Sequence, residues 1–251
     1  MNKKELKDFL EEKHDQFNRP GFIGPDPVSI PHQFTLKEDI EISGLLAATI
    51  AWGQRVTIIS NANKMMKLMG SSPYDFTMSA SAKDLKRFST FVHRTFNGTD
   101  AVCFILALRN IYKHHKGLEG AFNRKDCKEA IVQFRELFFS IDHPMRTEKH
   151  VSNPDANSSA KRLCMYLRWM VRNDNRGVDF GIWNNQLKPA ALMCPLDVHT
   201  GNVGRKLGLL KRTQSDWKAV EELTASLRKF DPVDPVKYDF ALFGLGVFEK
   251  F

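Results

Sequence analysis

Residues 194–209 read Cys-Pro-Leu-Asp-Val-His-Thr-Gly-Asn-Val-Gly-Arg-Lys-Leu-Gly-Leu, and they carry the clearest structural signals in the chain. Asp197 follows a proline-bearing loop, which is typical of the residue that caps the N-terminus of a helix. Gly208 is placed to end that helix from the C′ position. Gly201 and Gly204 lie on one helical face, and because glycine lowers helix stability, we expect another backbone to approach closely there.

Apolar residues recur at helical spacing in much of the remaining chain. The stretch 42–50 shows one such stripe, which includes Ile42, Leu45, Leu46 and Thr49. Runs in which β-branched residues alternate with polar ones, typical of strands, are nearly absent. The sequence therefore predicts an all-α fold. Further boundaries are predicted as follows: a loop over 18–36, a capping box of Ser81 and Asp84, a loop over 174–196 with a short turn at 180–183, and an N-cap at Asp234 before a helix over 236–250.

The composition narrows the range of functions. The chain has 251 residues and a formal net charge of +8, which favours a polyanionic partner because each neutralised phosphate releases counterions. The four cysteines form no Cys-x-x-Cys pair, so we expect no metal and no cofactor. No apolar run approaches the ~20 residues of a membrane span, and the N-terminus lacks a signal-peptide pattern. These features predict a monomeric, cytoplasmic, nucleoid-associated protein with no membrane partner.

A second stretch, 158–172, predicts a mostly apolar helix with a charged face. Either serine of the pair at 158–159 is placed to cap it. Lys161, Arg168 and Arg172 share one face, together with a methionine. A cationic stripe on an otherwise buried helix requires anions beside it.

Two sources of those anions remain open. One is DNA phosphate, and the other is a set of internal carboxylates such as Asp174 and Asp179. Lys161 stands apart from the arginines because it lies in the first turn, where the helix dipole disfavours a cation. An amine held in that position is suited to act as a nucleophile.

The stretch 194–209 resembles the segment that follows the helix-hairpin-helix in the endonuclease III superfamily of DNA glycosylases. In that superfamily a loop rich in glycine and proline ends in an aspartate, and a helix containing an arginine follows. The later order also agrees, with a helix over 219–227 and a last, glycine-bearing helix over 238–246. Upstream, 42–68 is similar to the first pair of barrel helices, including the glutamine turn at Gln54. The chain thus looks like a bacterial family at the edge of this superfamily, nearest the archaeal 8-oxoguanine glycosylases.

The resemblance implies a two-lobed helical fold within a single globular unit. A helical barrel would span about 37–190, and a second lobe would combine 1–36 with 191–251. A damaged base would be flipped out of duplex DNA into a cleft between the lobes. The implied activity is that of a base-excision repair glycosylase, which either adds abasic-site lyase activity through a lysine Schiff base or is monofunctional and uses water.

The resemblance also implies roles for individual residues. Asp197 would stabilise the positive charge that develops on the sugar, and Lys161 would form the Schiff base. Lys188 is a second candidate amine. Gln54 would occupy the space left by the extruded base. The DNA-binding residues expected are Gln54, Arg162, Arg168, Arg172, His199, Arg205 and Lys206.

Two departures from the superfamily pattern leave other functions open. The usual hairpin Leu-Pro-Gly-Val-Gly is absent, and 152–161 stands in its place. Lys161 and Asp197 are 36 residues apart, which is longer than in endonuclease III relatives. One alternative is a non-catalytic protein of the same fold that binds nucleic acid by charge and shape. Another is an unrelated helical scaffold that binds protein, in which Asp197 is only a cap.

Overall fold

The computed structural model describes all 251 residues, and the chain is mostly helical. One pair of two-residue antiparallel strands, Val92–His93 and Phe96–Asn97, is the sole sheet. The predicted all-α class is therefore confirmed. None of the helices combines the length and the apolar character that a membrane crossing requires. The helices are α1 Lys3–Phe17, α2 Lys37–Thr49, α3 Arg55–Leu68, α4 Pro73–Ser79, α5 Ala82–Leu85, α6 Gly98–His114, α7 Gly117–Ala121, α8 Cys127–Phe138, α9 Lys161–Val171, α10 Val198–Lys206, α11 Trp217–Arg228 and α12 Asp239–Val247.

Short 3-10 turns fill many of the connections between helices, and most of them begin with proline. Three follow one another at Pro20–Phe22, Pro27–Ser29 and Pro31–Gln33. Proline suits the first position of such a turn because its φ is fixed and it has no N–H to leave unpaired. The stretch 18–36, predicted as an irregular loop, is therefore mainly a series of tight turns.

The chain folds into two compact units. The first comprises Met1–Phe22, Arg124–Glu129 and Asn153–Phe251, and the second comprises Ile23–Asn123 and Ala130–Ser152. The expected division into lobes and the observed division into units both place the two ends of the chain in the same part. The expected barrel lobe included α9, whereas in the structure α9 belongs to the unit of the terminal helices. The reason is ionic, because the arginines of α9 bind carboxylates from the C-terminal segment.

Helix α12 packs against both α1 and α10 in the first unit. Its glycines permit this close packing. A Cβ added to Gly244 would lie 2.1 Å from the ring of Phe17 on α1. One added to Gly246 would lie 2.9 Å from the Cβ of His199 on α10. The missing side chains therefore bring α1 and α10 close to the same short helix.

Aromatic rings form much of the core of the second unit. Phe91, Phe96, Phe104 and Phe138 are fully buried and contact one another in sequence, with ring centroids 6.2, 5.4 and 4.7 Å apart. All three contacts are edge-to-face, the arrangement that the ring quadrupoles favour. The core thus gains directional contacts in addition to apolar burial.

The predicted helix boundaries are confirmed at the capping box and at α10. Ser81 Oγ accepts the N–H of Asp84 (3.3 Å), and Asp84 Oδ2 accepts the N–H of Ser81 (3.0 Å). Asp197 caps α10, and Gly208 follows its end with a φ of +70°. Ser81, Asp84 and Asp197 act on neighbouring N–H groups and Gly208 acts through its backbone conformation, so each effect is local and the sequence pattern is sufficient.

Two other predictions fail, the first only in part, since a helical turn does begin at Pro235 with Asp234 at the N-cap position. Asp234 forms no cap bond, and a 3-10 turn precedes α12, because the carboxylate of Asp234 is bound by Arg172 instead. No turn forms at 180–183. There the N–H groups of Phe180 and Trp183 donate to the carbonyls of residues 169 and 170. This pairing satisfies carbonyls that would otherwise be unpaired at the end of α9.

Substituting Gly244→Ala should lower the free energy of unfolding by about 1–3 kcal/mol, because the new methyl group overlaps the ring of Phe17. Urea unfolding followed by intrinsic fluorescence measures the change. Gly21→Ala is the matched control, since no atom lies within 4 Å of the added Cβ there. Equal stabilities for the two variants would contradict the packing described for α1 and α12.

Candidate active site

Lys161 is the first residue of α9, and the backbone turns sharply just before it. Ala160 adopts a left-handed conformation with a φ of +46° and directs the chain into the helix. The predicted serine cap is wrong. Ser158 Oγ accepts the N–H of Ala160 (3.3 Å), and no side chain caps α9. The position of Lys161 therefore depends on a backbone turn and not on a cap.

That turn is anchored to the start of α11. The amide of Asn157 donates to Asp216 Oδ2 (3.1 Å), and the carbonyl of Asn157 accepts the N–H of Trp217 (3.3 Å). Ser158 and Asp216 also form an isolated backbone bridge. The segment that stands in place of the glycine hairpin is thus fixed by polar contacts with a neighbouring helix.

Asp197 faces Lys161 within the first unit. As the cap of α10, it accepts the N–H of Thr200 through Oδ1 (2.9 Å). Its other oxygen, Oδ2, lies 3.9 Å from Lys161 Nζ. The Lys161 side chain is 25% exposed and that of Asp197 is 21% exposed. An amine and a carboxylate therefore lie side by side where a molecule in solution can reach both.

Arg168 and Arg172 have a different environment from Lys161. Both side chains are almost completely buried. Arg168 Nε lies 3.2 Å from Asp179 Oδ1, and Arg168 Nη1 contacts Asp239 Oδ2. The internal carboxylates, and not DNA phosphate, are therefore the anions beside Arg168.

Arg172 binds three carboxylates at once. Its nitrogens lie 2.8 Å from Asp174, 3.0 Å from Asp179 and 2.8 Å from Asp234. With its side chain only 1% exposed, Arg172 cannot reach a nucleic acid. The expected DNA-binding roles of Arg168 and Arg172 are corrected accordingly, because a buried guanidinium must be paired inside the protein.

Asp239 is the residue at this site that the sequence interpretation missed. It begins α12 and is buried, and its carboxylate contacts Arg168 and the thiol of Cys194. Burial raises the pKa of its carboxyl to about 6, with Arg168 opposing the shift and Asp197 adding to it. A signal was present in the sequence. A lone aspartate opening the apolar stretch 240–245 requires a buried partner.

The other predicted DNA-binding residues of the first unit are in varied environments. Arg162 is half-buried, and burial lowers its pKa to about 10. Arg205 donates to the carbonyls of Arg212 (2.9 Å) and Thr213 (2.8 Å), so it holds a turn in place. Lys206 is exposed, with its ammonium 5.5 Å from the ring of a terminal phenylalanine.

His199, Lys188 and Gln54 are exposed. His199 forms no hydrogen bond with Asp197, although it lies only two residues further along. Lys188 precedes a 3-10 turn. Gln54 belongs to the second unit, where it stands before the first residue of α3. Within the first unit the structure thus brings Lys161 and Asp197 together, and neither His199 nor Lys188 joins their ion pair.

The glycines of α10 meet side chains and not another backbone, contrary to expectation. A Cβ on Gly204 would lie 3.3 Å from Leu223 of α11, and one on Gly201 would lie 3.0 Å from the guanidinium of Arg205. The close backbone approach to α10 comes from Gly246 of α12. The glycine that permits this approach lies on α12, so the sequence of α10 alone could not indicate it.

Substituting Arg172→Met should lower the free energy of unfolding by about 3–5 kcal/mol, because three carboxylates lose their shared cation. Arg176→Met is the control, since Arg176 is partly exposed and its ion pairs with Asp15 and, at 4.0 Å, with Asp174 should contribute about 1 kcal/mol or less. Urea unfolding at neutral pH gives both values. Similar losses in the two variants would contradict a structural role for Arg172.

His14 provides a test of the same network by pH. Burial and the nearby Arg172 lower its pKa to about 4, whereas an unfolded histidine has a pKa of 6.5. The unfolded state therefore binds the proton more tightly, and stability falls as the pH drops from 6.5 to 4, by about 3 kcal/mol in total. Relative to His14→Gln, the wild type should lose this amount across that window in urea unfolding. Parallel stability curves for the two proteins would show that His14 is not held neutral by the fold.

Comparison with known proteins identifies a family without adding a function. Residues 26–248 match the model of a family described as "Protein of unknown function (DUF2400)". No match is found among curated proteins or among solved structures. The family match covers all but the first three residues of the second unit and most of the first, including Lys161, Asp197 and Asp239. The chain therefore belongs to the DUF2400 family.

Proposed function

We propose that this protein is a DNA base-excision repair glycosylase that also cleaves abasic sites through a Schiff base on Lys161. The observation that supports the proposal is the 3.9 Å separation of Lys161 Nζ and Asp197 Oδ2, with both side chains open to solvent. The two residues are 36 positions apart in the chain, so local sequence does not force them together. Glycosidic bond cleavage with covalent capture requires such a carboxylate and such an amine at one place.

Asp197 supplies fixed negative charge in this mechanism. The cap bond to the N–H of Thr200 holds Oδ1 and leaves Oδ2 directed toward the amine. As the bond from C1′ to the base breaks, positive charge develops on the sugar. A carboxylate that is already oriented stabilises this charge without reorganising at the moment of reaction.

Lys161 supplies the nucleophile. Its unprotonated amine attacks C1′, and the electron pair of the C1′–N bond leaves with the base, which takes up a proton. The attached nitrogen then loses a proton, and the C1′–O4′ bond opens while O4′ is protonated, which leaves an iminium. Loss of a proton from C2′ expels the 3′ phosphate, and water finally releases the lysine.

The overall charge supports DNA as the partner. Setting aside Arg168 and Arg172 together with their four partner aspartates removes two positive and four negative charges, so the remaining residues carry a net charge of +10. Exposed cations such as Lys188 and Lys206 are available for phosphate. Binding to duplex DNA should therefore weaken steeply with added salt.

Borohydride trapping tests the proposal directly. Purified protein is incubated with duplexes that carry an abasic site, 8-oxoguanine, uracil or an oxidised pyrimidine, and hydride converts any iminium to a stable amine. We expect a covalent adduct in the wild type and none in Lys161→Gln. Asp197→Asn should slow base release by about 100-fold, since a preorganised charge is lost. Lys83→Gln is the control and should trap as well as the wild type, because Lys83 is an exposed residue of α5 that is not part of the pair.

The outcomes separate the competing functions. An adduct that persists in Lys161→Gln would assign the chemistry to another amine. No adduct and no base release, with salt-sensitive DNA binding retained, would indicate a non-catalytic nucleic-acid-binding protein. Loss of DNA binding as well would leave a protein-binding scaffold in which Asp197 only caps α10.

A further inference from the structure

A single buried carboxylate contacts both of the segments that carry the proposed catalytic pair. Asp239 Oδ2 accepts a hydrogen bond from Arg168, which lies seven residues, or about two turns, after Lys161 on α9. Asp239 Oδ1 lies 4.0 Å from the thiol of Cys194, three residues before Asp197. No ion pair other than their own joins Lys161 and Asp197 to the rest of the chain.

We propose that Asp239 is a positioning residue that holds the Lys161 segment and the Asp197 segment at their working separation and sets the charge around them. This inference rests on the proposed function, because it concerns how that site is maintained. Asp239 lies at the start of α12, so its own backbone is fixed by the packing of α12 on α1 and α10. Through its contacts with Arg168 and Cys194, Asp239 makes the positions of α9 and of the segment before α10 depend on the position of α12.

The charge of Asp239 acts on several neighbouring groups because it lies in a buried environment. The side chains of Arg168 and Asp239 are 4% and 8% exposed, and Cys194 is fully buried. Charges interact more strongly in such an interior than in water. The titratable and charged groups that face Asp239 are Lys161, Cys164 and Arg168 on α9, Asp179 and Cys194 on the following loop, and Asp197 at the start of α10. On α1, the ring of His14 contacts the ring of Phe240, the residue after Asp239.

The burial of Asp239 also predicts the pH at which its contacts with Arg168 and Cys194 weaken. Burial raises the pKa of Asp239 to about 6, so mild acid neutralises it while it still faces Arg168. The neutral acid resembles the amide of asparagine in shape and charge. Wild type at pH 5 and Asp239→Asn at pH 8 should therefore share the same impaired site.

Trapping kinetics provide the first test. Asp239→Asn should lower the rate of borohydride trapping at saturating abasic DNA by at least about tenfold, while the half-saturating DNA concentration stays within about twofold. The wild-type rate should fall below about pH 6, and this acid limb should be absent from Asp239→Asn. Asp179→Asn is the matched control. It also removes a buried partner of Arg168 but has no contact with the Cys194 segment, so it should keep the acid limb.

A second measurement requires no DNA and no activity. The lysines are dimethylated with ¹³C-formaldehyde, and the signal of Lys161 is identified by its absence from Lys161→Arg. In the wild type this signal should shift with a midpoint near pH 6. The shift should vanish in Asp239→Asn and persist in Asp179→Asn. A wild-type Lys161 signal that does not shift near pH 6 contradicts the inference without any variant, so the test stands even where Asp239→Asn folds poorly.

The two measurements keep the two proposals separable. If the wild type traps no DNA but the Lys161 signal follows Asp239, the proposed chemistry fails and the positioning role stands. If DNA is trapped normally in Asp239→Asn and the Lys161 signal ignores pH 6, Asp239 is only a structural partner of Arg168 and the inference is overturned. An acid limb that survives in Asp239→Asn would likewise overturn it.

Discussion

Two guanidinium groups enclosed in the first unit impose the strongest constraint on its structure. Arg168 and Arg172 lie on one face of α9, and neither can be desolvated without anions in contact. Their anions come from three other parts of the chain, namely Asp174 and Asp179 after α9, Asp234 before α12 and Asp239 at its start. Each partner must arrive for the others to be tolerated, so the ionic contacts determine where the loop after α9 and the C-terminal helix can lie.

The two residues of the candidate site are held in place by the structures that begin their helices. Asp197 performs the usual task of an N-cap with one oxygen, and the second oxygen remains for Lys161. Removing the carboxylate would therefore affect the helix end and the site together, whereas the amide of asparagine keeps an oxygen for the cap. Lys161 has the opposite construction, since no side chain caps its helix and a left-handed Ala160 sets its direction. The pair thus joins one residue fixed by a side-chain bond to another fixed by backbone geometry.

Local signals in the sequence predicted local structure well. The capping box at Ser81, the cap at Asp197 and the glycine after α10 each depend on residues within a few positions, and each is present. Predictions failed where a distant partner competed. Asp234 had the pattern of a cap, but Arg172 binds its carboxylate, 62 residues away in sequence.

The same reasoning explains what the sequence could reveal of the site. The spacing of Lys161, Arg168 and Arg172 on one helical face was readable, and it required anions without saying which. Asp174 and Asp179 were found as candidates because they are near in sequence. Asp239 was missed because its link to α9 exists only in three dimensions. DNA phosphate and internal carboxylates both fit the two arginines at the level of sequence, since a stripe of charge does not reveal which side of a helix faces the core.

The cluster contains more carboxylates than cations, and this imbalance bears on function. Four aspartates face Arg168 and Arg172, and the pKa values of these aspartates do not all shift in the same direction. Burial tends to raise the pKa of Asp174, but Arg172 prevails and lowers it. Burial prevails at Asp234 and Asp239, whose pKa values are raised.

A carboxylate with a raised pKa lowers stability at neutral pH, because the folded state holds its proton more tightly than the unfolded chain does. Proteins tolerate such a cost most readily at sites where the charge is used. Of the two strained aspartates, Asp239 is the one whose charge reaches Lys161 and Asp197, which is where a use for it should be sought.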